Sequence, residues 1–177
     1  MLSKLYKSKK QDGFTIIEVL IVLAIAGLIL LIVFLAVPAL QRNSRNTQRK
    51  NDVSGMLSAI NEYVTNNSGS TPTGAAFAAP SISFTGGTSS EAKIGFYTKG
   101  ICGAAPATGQ VCFTAAPTFP VAALAGTAAQ DYAVINVGGS CDTATIGKVN
   151  QGSARSIAIQ YEIEKGAGTF AAQCQDS

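Results

Sequence analysis

The chain has 177 residues, 13% of them charged, with a formal net charge of +3 and neither histidine nor tryptophan. That length suits one domain, and the missing histidine excludes Ser-His and Cys-His nucleophilic pairs. The net charge lies in residues 1–13, where Lys4, Lys7, Lys9 and Lys10 outnumber Asp12. The remainder has nine basic and nine acidic residues, so the charge is not a nucleic-acid signal.

Residues 1–13, MLSKLYKSKKQDG, read as a leader. It is not an ordinary secretory signal, because the apolar segment that follows is longer than an h-region and ends without a small-x-small site. From Val19 to Val37 every residue is apolar, close to the roughly 20 residues that span a bilayer. Its many Ile and Val residues lower helix propensity in water, but in lipid the backbone must bond within the segment and a helix is forced. Four basic residues precede it and Arg42, Arg45, Arg49 and Lys50 follow it, so flanking charge does not set its orientation. Glu18 sits just outside the run, and nothing within the run can pair with it. Gly27 permits close approach of a neighbouring helix.

Beyond Pro38 the pattern changes. Residues 41–52 are polar all round, and their basic cluster reads either as a solvated helix face or as a contact for anionic headgroups or acidic partners. Val53, Leu57, Ile60 and Val64, with Met56 and Tyr63 beside them, then form one apolar stripe. We read 14–67 as one long helix, with 14–37 apolar and 38–67 amphipathic, kinked near Pro38. At 1.5 Å per residue it is roughly 80 Å long. Its first half is expected to project from a head formed by 68–177, and its second half to lie on that head.

Asn66-Asn67-Ser68-Gly69 is a helix stop. Residues 68–90, rich in Gly, Ser, Thr, Ala and Pro, read as a long connecting loop. Strands are predicted at 93–98, 111–114, 131–137 and 155–164. In the last, Ile157, Ile159, Tyr161 and Ile163 alternate with Ala158, Gln160, Glu162 and Glu164, which predicts one buried and one solvated face. The expected fold class is α+β, a small antiparallel sheet packed on the second half of the helix.

The stretch Gly13, Phe14, Thr15 and Glu18, behind a lysine-rich leader and ahead of the apolar run, resembles the processing motif of type IV pilins and type II secretion pseudopilins. The resemblance covers roughly Lys4 to Tyr63. Pro38, eleven residues after Gly27, lies three further on than in many members, close to one helical turn. The resemblance implies cleavage between Gly13 and Phe14 by a prepilin peptidase, methylation of the new amino group on Phe14, and a helical homopolymer with apolar helices at its centre. It implies an assembly ATPase and a platform protein as further partners, and membrane lipid before assembly. Localisation follows: a single-pass membrane form with a cytoplasmic N-terminus, then an extracellular filament. Glu18 is expected to set the step between subunits by pairing with a neighbour's amino terminus. Adhesion, motility or DNA uptake would follow from the resemblance alone, so nucleic acid is a weak partner candidate. Alternatives are a pseudopilin or minor pilin of a secretion or competence machine, and a membrane-anchored surface domain that never polymerises.

The four cysteines, Cys102, Cys112, Cys141 and Cys174, all follow the apolar helix. An even count in an exported head implies two disulfides. Of three connectivities we favour Cys102–Cys112, closing a strand–loop–strand unit, with Cys141–Cys174 tying down the tail. The spacing and the missing histidine argue against zinc. Asp131, Asp142 and Asp176 could ligate calcium but form no contiguous loop motif. Glu162 and Glu164 are paired carboxylates on the face expected to be solvated, unsuited to acid–base work. No cofactor and no catalytic site are expected.

Overall fold

The computed structural model describes residues 13–78, 80–102, 106–126, 131–166 and 168–177; all of the expected leader except Gly13 lies outside them. The chain divides into two compact units, 1–40 and 41–177. Helix α1, Ile16–Asn66, contributes to both.

In the first unit the helix is exposed from Ile16 to Pro38. Pro38 lies inside it without ending it, although its missing N–H leaves the Phe34 carbonyl without its helical donor.

The second unit is α+β. Among the described residues nine strands form three sheets: β1 (Gly74–Ala78), β2 (Ser81–Thr85) and β3 (Ser90–Lys93) in one, β4 (Val111–Thr114), β5 (Ala133–Val137), β8 (Ile157–Gly166) and β9 (Thr169–Asp176) in the second, and β6 (Gly139–Cys141) with β7 (Val149–Gln151) in the third. The first sheet is antiparallel in the order β1-β2-β3. The second runs β4-β5-β8-β9 and is mixed, since β4 pairs parallel with β5. The expected α+β class holds, and the small antiparallel sheet is refined to three sheets with one parallel pair, β4 with β5.

The apolar stripe of α1 is the floor of the core. Val53, Met56, Leu57, Ile60 and Tyr63 are buried, against Ile82 and Phe84 of β2, Val111 of β4, Ile135 of β5, and Ile157, Ile159 and Tyr161 of β8. Burying one such side chain fully is worth about 2 kcal/mol, so this cluster outweighs the weak intrinsic propensity of the polar turns before it. The helix ends where expected. The Gly69 N–H donates to the Val64 carbonyl at 2.8 Å, with Gly69 at φ 85°, a left-handed conformation that glycine adopts without penalty. The Asn67 amide then ties the helix end to the Thr88 backbone, donating to its carbonyl at 2.9 Å and accepting from its N–H at 2.7 Å.

Three sequence expectations change here. Residues 68–90 are not one long loop, because β1 and β2 form a hairpin within them. Residues 94–98 are not a strand: β3 stops at Lys93, and the N–H groups of Gly95, Phe96 and Tyr97 donate to the Asp52 carboxylate at 2.9, 2.7 and 3.1 Å. A helix-borne carboxylate thus replaces a neighbouring strand as acceptor. Finally, the second face of β8 is not solvated. Ala158, Gln160 and Glu162 are as buried as the core face: Gly139 of β6 stands against Ala158, Gly147 and 121–126 meet Gln160, and 121–126 reaches Glu162.

Candidate functional site

The motif residues occupy the start of α1. Gly13 is exposed and non-helical, and among the described residues no atom beyond its chain neighbours lies within 4 Å of where a Cβ would stand. Phe14 is 88% exposed. The helix begins on a reciprocal cap. The Glu18 Oε2 accepts from the Thr15 N–H at 2.8 Å and from the Thr15 hydroxyl at 2.7 Å, and the Glu18 N–H donates to the Thr15 Oγ1 at 3.3 Å. This is a capping box, in which the N-cap threonine and a glutamate three residues on satisfy each other's free donors. The carboxylate finds its partner just outside the apolar run, in Thr15. The signal was in the sequence, since Thr15-Ile16-Ile17-Glu18 is an S/T-x-x-E preceding an apolar stretch.

Behind the cap the helix carries Ile16, Ile17, Leu20, Val22, Leu23, Leu28, Leu31, Phe34 and Leu35, each at least 59% exposed. An 18-residue window here has mean hydropathy 3.4 with none of it buried, long and apolar enough to cross a membrane. Gly27 has no neighbour within 4 Å of a Cβ position, so no contact within the described residues requires a glycine there.

The basic cluster is not simply a solvated face or a lipid contact, because two of its arginines bind the head. Arg49 is fully buried and pairs in bidentate fashion with Asp131, Nε to Oδ1 at 3.0 Å and Nη2 to Oδ2 at 2.5 Å. Its guanidinium lies 4.1 Å from the centre of the Phe96 ring. Arg45 pairs with Glu164 at 2.6 Å. Between them Asn46 accepts from the Glu164 N–H at 2.9 Å, donates to its carbonyl at 2.8 Å, and accepts from Arg49 Nη1 at 2.7 Å. This polar clamp explains how a stretch with no apolar stripe stays helical.

The remaining sequence candidates are separate. Cys102 lies at disulfide distance from Cys112, with Cα atoms 4.7 Å apart, and Cys141 from Cys174 at 5.7 Å; this is the pairing favoured from the sequence. Cys112 is on β4, and the second bridge joins β6 to β9. Asp131, Asp142 and Asp176 do not converge. Asp131 holds Arg49, and Asp176 accepts from the Ser140 hydroxyl and the Cys141 N–H. Asp142 accepts the N–H groups of Ala144 and Thr145, the Asn150 amide and Lys148, and these donors pull its carboxyl down to about 2. Among the described residues no group of three or more Asp, Glu or Cys is placed to hold a metal. Glu162 and Glu164 also part company, Glu164 going to Arg45 and Glu162 under the 121–126 segment.

Residues 8–34 match the family described as the prokaryotic N-terminal methylation motif. The chain thus carries the prepilin signature of type IV pilins and type II secretion pseudopilins, on a pilin-like α+β fold. This signature is the one that pilin-like and pseudopilin precursors present to a prepilin peptidase, and the apolar helix behind it is long and apolar enough for membrane anchoring. No curated protein and no solved structure matches the chain.

Proposed function

We propose that the protein is a pilin, cleaved between Gly13 and Phe14, methylated on Phe14, and polymerised into a type IV pilus filament at the cell surface. The observation that carries this is the apolar helix directly behind the motif, which no described residue of the chain covers. At about 2 kcal/mol per large apolar side chain, leaving it in water would cost on the order of tens of kcal/mol. Lipid covers it before assembly and the helices of other subunits cover it afterwards. Such head-to-tail contacts do not close on themselves and generate an open fibre. The clamp of Arg45, Asn46 and Arg49 supports the same reading, since a subunit extracted by its helix must carry its head along.

Local geometry supports processing at this point. Gly13 has free space around its Cα, which suits entry of an extended chain into a protease at the membrane surface. Glu18 lies four residues from the amino group that cleavage creates. In a staggered bundle the amine of an incoming subunit pairs with Glu18 of its neighbour and fixes the axial step, a role in specificity more than in stability, because desolvation opposes the attraction. The chain carries no nucleotide-binding signature, so an assembly ATPase acting through a platform membrane protein supplies the energy.

Sheared surface fractions test the assignment. The expected result is abundant filaments whose subunit begins at Phe14 and carries one added methyl by intact mass. Filaments only as a trace species would instead place the chain as a minor pilin or pseudopilin. A membrane form that starts at Met1 and never enters filaments would remove the proposal.

A further inference from the structure

On the face of β8 turned away from the α1 core, Glu162 and one side of Gln160 are covered by 121–126, VAALAG, which belongs to no named strand. The start of this segment is firmly held, because Val121 and Val149 exchange backbone hydrogen bonds at 2.8 and 3.0 Å. Next, the Gln160 Nε2 donates to the Ala122 carbonyl at 2.8 Å and to the Gly147 carbonyl at 2.6 Å. The far end rests on Gly126. Its N–H donates to the Glu162 Oε1 at 2.7 Å, and its carbonyl accepts a long bond from the Phe170 N–H at 3.3 Å. Glu162 is fully buried, and its second oxygen, Oε2, has no hydrogen-bond partner among the described residues. A buried carboxylate with an orphaned oxygen is costly when charged and far less so when it carries a proton.

We propose that 122–126 is a pH-gated strap, seated while Glu162 is protonated and lifted from its Gly126 end once that carboxylate ionises. Lifting lets water reach Oε2 and uncovers the β8–β9 face, while the Val121 end stays paired. The inference goes beyond filament formation and does not depend on it.

The surroundings fix the direction. Residues 121–126 carry no titratable side chain, and across the β8–β9 pair Glu162 faces Ala172. Beside β5 stand Tyr132 and Asp131, and α1 brings Arg49. The nearby turn supplies Asp142 and Lys148, which pair with each other at 3.2 Å. Burial, seconded by Asp131, holds the Glu162 carboxyl above the usual carboxylate range, while the Gly126 N–H and Arg49, which already serves Asp131, oppose it. A seated state with the higher proton affinity is favoured at low pH. Opening therefore grows as pH rises from the ordinary glutamate value to the raised one, by up to about tenfold per pH unit, and levels off above it.

The test is amide hydrogen exchange on the full chain in detergent micelles, corrected for base catalysis, with the Glu162 carboxyl carbon shift followed in the same samples. Protection at Gly126 and Phe170 should fall over the pH range in which Glu162 titrates, while Val121 and Val149 keep theirs. Glu162→Gln retains an acceptor for Gly126 without a charge and should give protection that is high and flat with pH. Protection at Gly126 and Phe170 that ignores pH in the wild type would overturn the proposal, as would a Glu162→Gln curve that follows the wild type. Should the variant fail to fold, the wild-type carboxyl titration and amide protection decide alone: titration without loss of protection refutes the strap.

Discussion

Arg49→Met isolates the clamp that fixes the polar turns of α1 to the head. The substitution keeps most of the volume and all helix propensity, so its effect reports the guanidinium. Arg49 and Asp131 have side chains 2% and 6% exposed, which places the pair in the buried class. Removing one partner there strands a charge, at about 3–5 kcal/mol, and the stacking on Phe96 at 4.1 Å adds about 1 kcal/mol. Asn46 keeps its two bonds to Glu164, so the helix should stay docked but weakened. Urea unfolding of the full chain in mild detergent, read by near-ultraviolet circular dichroism of its five tyrosines, should show a midpoint lowered by about 2–3 M for a slope near 2 kcal/mol per M. Adding Asp131→Leu should recover much of the loss, because no charge is then left buried. The reasoning fails if Arg49→Met costs under about 0.5 kcal/mol, or if the double variant loses the sum of the two single losses.

Four shorter tests follow. Gly13→Val should accumulate as a full-length membrane form by intact mass, while Gly13→Ala should still be cut. Glu18→Gln keeps an acceptor for Thr15 and so preserves the cap, whereas Glu18→Val loses both cap and charge; if Glu18 sets subunit register through its charge, both variants insert in the membrane but neither yields normal filaments by electron microscopy. Normal filaments from Glu18→Gln would assign the residue to capping alone. Replacing Cys102 and Cys112 together by Ala should lower head stability by about 3 kcal/mol, and finding four alkylatable thiols in the native protein would contradict both bridges. Asp142 has a folded value depressed from 3.8 to about 2, so its contribution is present above 3.8 and lost as pH falls toward 2. The Ala144 and Thr145 amides should lose exchange protection over that window in the wild type and show no such step in Asp142→Asn.

The sequence revealed the elements whose pattern is set by their own residues. The apolar run, the stripe from Val53 to Val64, the stop at Gly69 and the strand 111–114 each follow from local composition and period, and each is where the pattern put it. What it concealed depends on partners distant in the chain. Ser81-Ile82-Ser83-Phe84-Thr85 alternates cleanly, with Ile82 and Phe84 fully buried, yet it sits in a Gly- and Ser-rich stretch whose composition argued for a loop. Lys93–Thr98 has strand-forming residues, but Asp52, more than forty positions away, takes three of its N–H groups. Arg45 and Arg49 looked like surface charge because their acceptors, Glu164 and Asp131, lie 119 and 82 residues downstream. The β8 alternation predicts the strand that forms but only one buried face, since the cover of Gln160 and Glu162 comes from the tertiary path of 121–126 and the turn at Gly147. The cap at Thr15 is the opposite case. Its partners are three residues apart, and its pattern was visible beside the very glutamate singled out for assembly. A side chain that closes a capping box is already oriented, with its carboxylate held at the helix start close to the proposed cleavage point, and that local role and the proposed role between subunits require the same atoms in the same place.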